Sequence, residues 1–481
     1  MKYLYGASVQ GIQSFIMKTN ELKPIIGASE LVDMICTSMF DEYAPKCNKS
    51  VQNIVRAAGN IRVVFQSKEE CKKAYMEFPR KVMLAAPGIT ISQAVVCFKD
   101  DQDYADAVDK LEARLKRERN RPVRPLYPGL LGMKRAPKTG EPAASYEYNE
   151  YIDLATLRKN DALRVGKGKQ QDYGALIEKA FGRQMDKLLI DNDELAGKSS
   201  WLALVHADGN GFGRIVQELG KDMKLFPKLS VCIDECTREA FRETVKALFK
   251  DDGIIPVRPL VLSGDDVTFI CRGDVALEFT SGFLECFEDI TKTKMSALAA
   301  ESEQYASLLS SGLTACAGIA YMKPSYPFFY AYELAESLCH AAKVDTKARS
   351  SSQVPPSCLM FYRIQDSVIY DWRTMADREL RYDGGTFLHG PYYTGKAFAD
   401  RWTIERLRKA IKGLQENNAI KTSVRKWVSM MYADAGRALQ YAERVRLVND
   451  ATASDLFNEV TEHEGGRCPA YDILTCVTLS K

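Results

Sequence analysis

Residues 257–272, VRPLVLSGDDVTFICR, set two adjacent carboxylates, Asp265 and Asp266, between two runs of β-branched and apolar residues. The pattern predicts a hairpin with buried strands on either side of a Ser263-Gly264-Asp265-Asp266 tip, because glycine and aspartate serve tight turns. Like charges side by side repel, so such a tip is either solvated or neutralised. A solvated turn is the ordinary case. A divalent-cation site is the other, and it requires a further carboxylate and a place for phosphate.

Both are present upstream. The apolar strand WLALVHAD (201–208) ends in Asp208 and runs at once into GNGFG. There Gly209, Gly211 and Gly213 offer backbone N–H groups at a helix start, an anion cradle. The spacing is GxGxG, not GxGxxG, which excludes a Rossmann fingerprint. Downstream, Lys343 closes the helix-period stretch AYELAESLCHAAK and is placed to meet a triphosphate as a point charge. Three carboxylates converging at one end of a sheet suit magnesium or manganese, which take hard oxygen ligands and complete their shell with water and phosphate. Two such ions activate an attacking hydroxyl and stabilise a leaving pyrophosphate.

Working outward, the chain repeats itself. The first part reads strand (about 2–8), helical stretch (about 10–45), strands (about 53–66), helix (about 68–84), strand (about 88–98), helix (about 101–119). The middle part reads WLALVHAD, a helix at about 227–250, the hairpin, a helix at about 274–300, the strand GLTACAGIAYM and the helix PFFYAYELAESLCHAAK. GASVQGI (6–12) lies over HADGNGF (206–212), RAAGNIRVVF (56–65) over VLSGDDVTFI (261–270), and GITISQA (88–94) over GLTACAG (312–318). Strand–helix–strand–strand–helix–strand is the split βαβ, ferredoxin-like unit. The expected fold is therefore α+β: ferredoxin-like domains at 1–119 and 201–397, a connector at 120–200 and a helical domain at 398–481. In this alignment Ser8 stands for Asp208, and Asn60 and Ile61 for Asp265 and Asp266. Carboxylates in one copy alone imply one chemical centre and a scaffold twin.

Composition narrows the function classes. A hydrophobic share of 46% and a charged share of 27% are those of an ordinary globular protein. The net charge of +3 removes any global polycation argument for nucleic acid, so a basic footprint has to be local. The 13 cysteines are scattered without a CxxC pair or histidines at ligand spacing, which argues against structural zinc. The start MKYLYGASVQGIQSFI lacks signal-peptide order and no apolar run approaches membrane-spanning length. A cytoplasmic protein with reduced thiols and no membrane contact is expected.

HADGNGFG, LVLSGDDVTFI, GLTACAGIAYMKPSYPFFYAYELAESLCHAAK and HGPYYTGKAF resemble the palm polymerase/cyclase large subunit of type III CRISPR effector complexes, a family related to GGDEF and class III nucleotidyl cyclases. GIQSFI and LKPIIGASELV are similar to that subunit's first, degenerate palm. The resemblance implies that both ferredoxin-like units are palm/cyclase domains. It implies a second palm that binds ATP with two Mg2+ or Mn2+ ions and joins 3′-hydroxyls to α-phosphates, giving cyclic oligoadenylates in antiviral defence. Asp208, Asp265 and Asp266 fall on its metal-ligand positions and are the expected catalytic residues. Gly209, Asn210, Gly211, Gly213, Ser263, Gly264 and Lys343 are the expected nucleotide contacts. Ser263 replaces the first glycine of the GGDD motif, and Asn210 stands where many relatives carry a second Asp. No histidine is followed by Asp, so the family's nuclease is not expected. Its zinc cysteines are missing between the palms. Partners implied are a nucleoside triphosphate and, in a complex, CRISPR-type protein subunits and RNA. Two rivals stay open: a catalytically silent RNA- or protein-binding subunit, and a mono- or dinucleotide cyclase.

Other features carry less. GPYYTGKA (390–397) fits GxxxxGK, but Ala397 replaces the Ser or Thr a P-loop needs, and two tyrosines crowd the loop. The segment 114–140 holds nine Lys or Arg against one Glu, and 165–174 is a second basic loop. Either is a solvated linker or an RNA-phosphate contact. Ile404, Leu407, Ile411, Leu414, then Val424, Trp427, Met430 and Met431 recur at helical period, as the core of a helical bundle does.

Overall fold

The computed structural model describes residues 1–45, 50–57, 59–121, 132–147, 149–165, 192–249, 255–350, 352, 354–365, 372–395, 398 and 400–480. The basic loop 165–174 lies outside these residues apart from its first position, as do part of 114–140 and the Lys396-Ala397 end of the GxxxxGK stretch.

The first unit runs β1 (Lys2–Gln10), α1 (Ile12–Ile16), α2 (Leu22–Cys36), β2 (Val51–Ala57), β3 (Asn60–Phe65), α3 (Lys68–Ala85), β4 (Thr90–Phe98) and α4 (Tyr104–Arg119). Its sheet has the order β2-β3-β1-β4 and is antiparallel throughout. Side chains alternate across the strands. One face buries Tyr5 and Phe65 against Phe40 and Phe78. On the other, Gly6 gives α4 room, since a Cβ there would stand 2.7 Å from Leu111. Ser67 caps α3 by accepting from the Glu70 amide.

The connector is partly docked. Its hairpin, β5 (Ala143–Glu147) and β6 (Glu150–Asp153), leads into α5 (Leu154–Val165), which crosses α2 closely. A Cβ on Gly27 would meet the Lys159 carbonyl oxygen at 2.0 Å. Lys159 itself is buried, donates to the Phe15 carbonyl at 2.5 Å, and is held by burial at a pKa of about 8.

The second unit repeats the order with β7 (Leu202–Asn210), α6 (Phe212–Leu219), α7 (Leu225–Leu248), β8 (Val257–Ser263), β9 (Asp266–Arg272), α8 (Ala276–Ala299), β10 (Thr314–Met322) and α9 (Phe328–Arg349). Helices α7 and α8 cover one face, where Phe241 and Phe279 pack on Phe269 of β9, and α9 covers the other. Two strands not anticipated from the sequence extend the sheet. β11 (Cys358–Arg363) pairs parallel to β10, and β14 (Tyr392–Tyr393), which follows the small hairpin β12 (Arg381–Tyr382) and β13 (Gly385–Thr386), pairs antiparallel to β11. The order is β14-β11-β10-β7-β9-β8. Both tyrosines of the GxxxxGK stretch are thus buried strand residues, not lining for phosphate.

Register shows the duplication and corrects its alignment. Ser8 faces Asn60 and Ser92 as Asp208 faces Asp266 and Cys316. Asn60 therefore corresponds to Asp266, not to Asp265, and Ile61 to Val267; the position of Asp265 is taken by Gly59. The twin has an uncharged pair, the Ser8 hydroxyl donating to Asn60 at 3.1 Å. The C-terminal part is a bundle of α10 (Ile404–Glu416), α11 (Asn418–Ala433), α12 (Ala435–Val448), α13 (Ala451–Thr461) and α14 (Ala470–Leu479). Ile404, Leu407, Leu414, Val424 and Trp427 are in its core.

Candidate nucleotide site

The hairpin closes tightly. Ser263 pairs with Asp266, leaving Gly264 and Asp265 as the two central residues, and only Gly264 has a positive φ, of 64°. That is the glycine-first, strand-compatible turn. Thr237 of α7 donates to the Gly264 carbonyl and pins the turn from below. Asp265 is thus the tip, and Asp266 is already a strand residue directly opposite Asp208 on β7. Opposed residues on antiparallel strands share a face, so Asp208 and Asp266 point the same way, toward α9.

Gly209 sits under the tip. Its amide donates to the Asp265 carbonyl at 3.2 Å, and a Cβ there would lie 2.7 Å from the Asp265 Cβ. Only glycine lets the two carboxylate-bearing segments approach so closely.

The charge balance is unequal. Lys343 pairs with Asp208 and donates to the Gly209 carbonyl at 2.9 Å. It does not end its helix, which continues to Arg349. Burial, with the Asp208 charge second, pushes Asp265 up to about 8, and burial, Asp208 and Glu336 push Asp266 to about 7. The Asp266 side chain keeps 38% of its surface open, so its desolvation comes from the walls of a cleft rather than from full enclosure. His206, beneath it, stands 3.6 Å from Asp266 Oδ1 and is driven down to about 4 by burial, so it is a neutral ring. Glu336 on α9 is a fourth carboxylate near the site that the linear sequence does not single out.

The remaining expected contacts divide. Ser263 and Gly264 line a cavity of about 250 Å³ between the two palm-like units, together with Asp265, Phe212, Asn60 and Arg62. Gly211 is the left-handed N-cap residue of α6, as Gly11 is of α1, and a Cβ on Gly213 would meet open space. Asn210 is different: its side chain is fully buried and bonded to Thr314 at 3.1 Å and Cys316 at 3.3 Å, so it faces β10 and not the cleft.

Asp266 Oδ1 is buried without a hydrogen-bond partner. An orphaned acceptor among mutually repelling carboxylates fits a hard cation by donor chemistry. With Asp208 turned to Lys343, no group of three His, Cys, Asp or Glu side chains stands at joint coordinating distance among the described residues.

Residues 201–351 match the family model of the Cas10/Cmr2 second palm domain. The chain carries a Cas10-like palm. Across its full length the fold is similar to Csm1–Csm4 cassettes: one in complex with cA4 (TM-score 0.57, 12% identity, 100% of this chain and 70% of the other covered) and one with one ATP (0.57, 14%, 100% and 70%). The apo cassette gives 0.55 at 14% identity, with the same coverage. At such identities the likeness is one of fold. No curated protein matches the chain in sequence. Among the described residues, no helix of this Cas10-like chain is long and apolar enough to cross a membrane.

Proposed function

We propose that the Cas10-like second palm is a metal-dependent nucleotidyltransferase that converts ATP to a cyclic oligonucleotide, acting within a type III CRISPR effector. The observation that carries this reading is the register of Asp208 with Asp266 and the place of Asp265 in the lining of the cavity between the palms. Asp208, Asp265 and Asp266 would hold two divalent ions, which supply charge neutralisation at the phosphates and a more acidic attacking hydroxyl. The chain's own residues do the rest. Lys343 fixes the Asp208 carboxylate and the Gly209 backbone, Gly264 sets the tip, and the first palm closes the cavity with Asn60 and Arg62. Csm1 relatives are found with Csm4, and with ATP or cA4 bound; CRISPR-type protein subunits and RNA are the corresponding partners here.

The test is pyrophosphate release from ATP with Mg2+ or Mn2+, with the products read by mass spectrometry. Asp265→Ala with Asp266→Ala is expected to lower the rate at least about a hundredfold while the circular dichroism spectrum is unchanged. Unchanged turnover removes the assignment. A silent structural subunit is the second reading, favoured by the Lys343 ammonium that already partners Asp208. Co-purifying RNA with no pyrophosphate under any activator would select it.

A further inference from the structure

The strand at the outer edge of the first palm has an open side. β4 pairs with β1 alone, so among the described residues its other edge has no strand partner. The same position in the second palm is filled. β10 accepts β11 in parallel along Cys316–Tyr321, and the matched registers make those residues the counterparts of Ser92–Cys97. The chain that follows α4 instead forms the separate β5–β6 hairpin.

That edge is the floor of a groove of about 590 Å³ between α3 and α4. The Val95 carbonyl points into it, accepting from Arg114. Alternation along a strand turns the backbone of Gln93 and Cys97 the same way. The rim is cationic: Lys68 and Lys72 from α3, Arg114 and Arg117 from α4, against Glu118. Among the described residues none of those four cations is in an ion pair, so each ammonium or guanidinium is left to meet an incoming carboxylate. Next to the rim, α3 exposes Met76 (66%) and Met83 (60%), one heptad apart on one side of the helix. Apolar exposure beside an unpaired edge is the signature of a protein contact rather than a solvated face.

We infer that β4 receives an extended, acidic strand from a partner protein, by strand addition. The main-chain ladder would supply affinity. Glutamate or aspartate on the strand would meet the Lys68, Lys72, Arg114 and Arg117 rim, and the Met76–Met83 face would bury the flanking apolar residues. The inference stands apart from the nucleotide chemistry, since no residue of the candidate site takes part.

A fluorescein-labelled peptide of about eight residues, alternating valine and glutamate, is a suitable probe. Fluorescence anisotropy should report binding to the full chain, and hydrogen exchange should report new protection at the amides of Gln93, Val95 and Cys97. Arg114→Glu with Arg117→Glu should weaken binding at least about tenfold, and added salt should do likewise. The same peptide N-methylated at alternate amides should not bind. Exposed Cys97 provides a second readout: peptide should slow its alkylation. Four results would overturn the inference. They are no anisotropy change up to about 1 mM peptide, equal binding of the N-methylated peptide, slow exchange at 93–97 in the isolated chain, and a uridine oligonucleotide displacing the peptide without protecting those amides. Slow exchange together with dimeric sedimentation would assign the edge to a second copy of this chain.

Discussion

Gly209 is the residue on which the geometry of the acidic tip turns. Its missing Cβ is what lets Asp265 lie over β7, with 2.7 Å left between the Asp265 Cβ and where a methyl would be. Gly209→Ala keeps all three carboxylates yet must push the tip outward, because the colliding atom is close to the backbone rather than the far end of a side chain. Under the proposed function, the pyrophosphate rate should fall by about a hundredfold, the typical cost of displacing a catalytic group by about 1 Å. The melting temperature should move little, and a steady-state assay beside a thermal melt separates the two. A drop in both by unfolding would instead make Gly209 a purely structural glycine. The three aspartates are legible in the sequence because Asp208 lies near the end of one apolar strand, Asp266 begins another, and Asp265 is the turn residue beside it. The side-chain placement of Asn210 is not legible in the sequence: two residues past Asp208 it shares that residue's face, and only the structure shows it tied down by Thr314 and Cys316 of β10.

At the scale of elements, the site depends on how closely α9 lies on the sheet. A Cβ on Gly318 of β10 would meet the Ala335 carbonyl oxygen at 2.0 Å and the Cys339 amide at 2.6 Å. This contact sets the height of α9, and α9 carries Lys343 to Asp208 and Tyr332 to His206. Gly318→Val is therefore expected to destabilise the palm by about 3 kcal/mol or more through overpacking, read as a lower urea midpoint at unchanged slope. The folded fraction should also lose activity, since the helix can only yield by lifting Lys343. The strand and helix order of both palms could be read from periodicity. The hairpin alignment is one residue out in the sequence because turns, unlike strands, have no apolar period to fix them. Strands β11 and β14 are illegible in the sequence for a related reason. A six-residue strand with five buried positions, reached through a long connection, and a two-residue strand carry too little pattern to separate strand from loop.

For the molecule as a whole, the helical bundle is tied to the palm through a buried carboxyl. Asp472 of α14 accepts from the Tyr392 hydroxyl at 2.7 Å and from the backbone of Gly390 and His389. Burial outweighs those bonds and lifts its pKa from 3.8 to about 7. Between those two values the folded protein binds more protons at this group than the unfolded chain does, so its contribution to stability declines as pH rises through that window and is flat above about 7. His389, buried beside Trp402 and among Arg401, Arg467 and Arg406, has the opposite sign. Burial lowers it to about 3, so stability is lost as pH falls below its ordinary 6.5. The two groups together narrow the pH range over which bundle and palm stay joined. Asp472→Asn keeps an acceptor for Tyr392 and removes the ionisation. Relative to the parent, the variant should gain stability steadily from about pH 4 to about pH 7 and no further, a difference of a few kcal/mol at most. Urea unfolding at a series of pH values measures it. A constant offset between the two proteins at every pH would mean that Asp472 titrates alike in the folded and unfolded chains, its hydrogen bonds just balancing its burial.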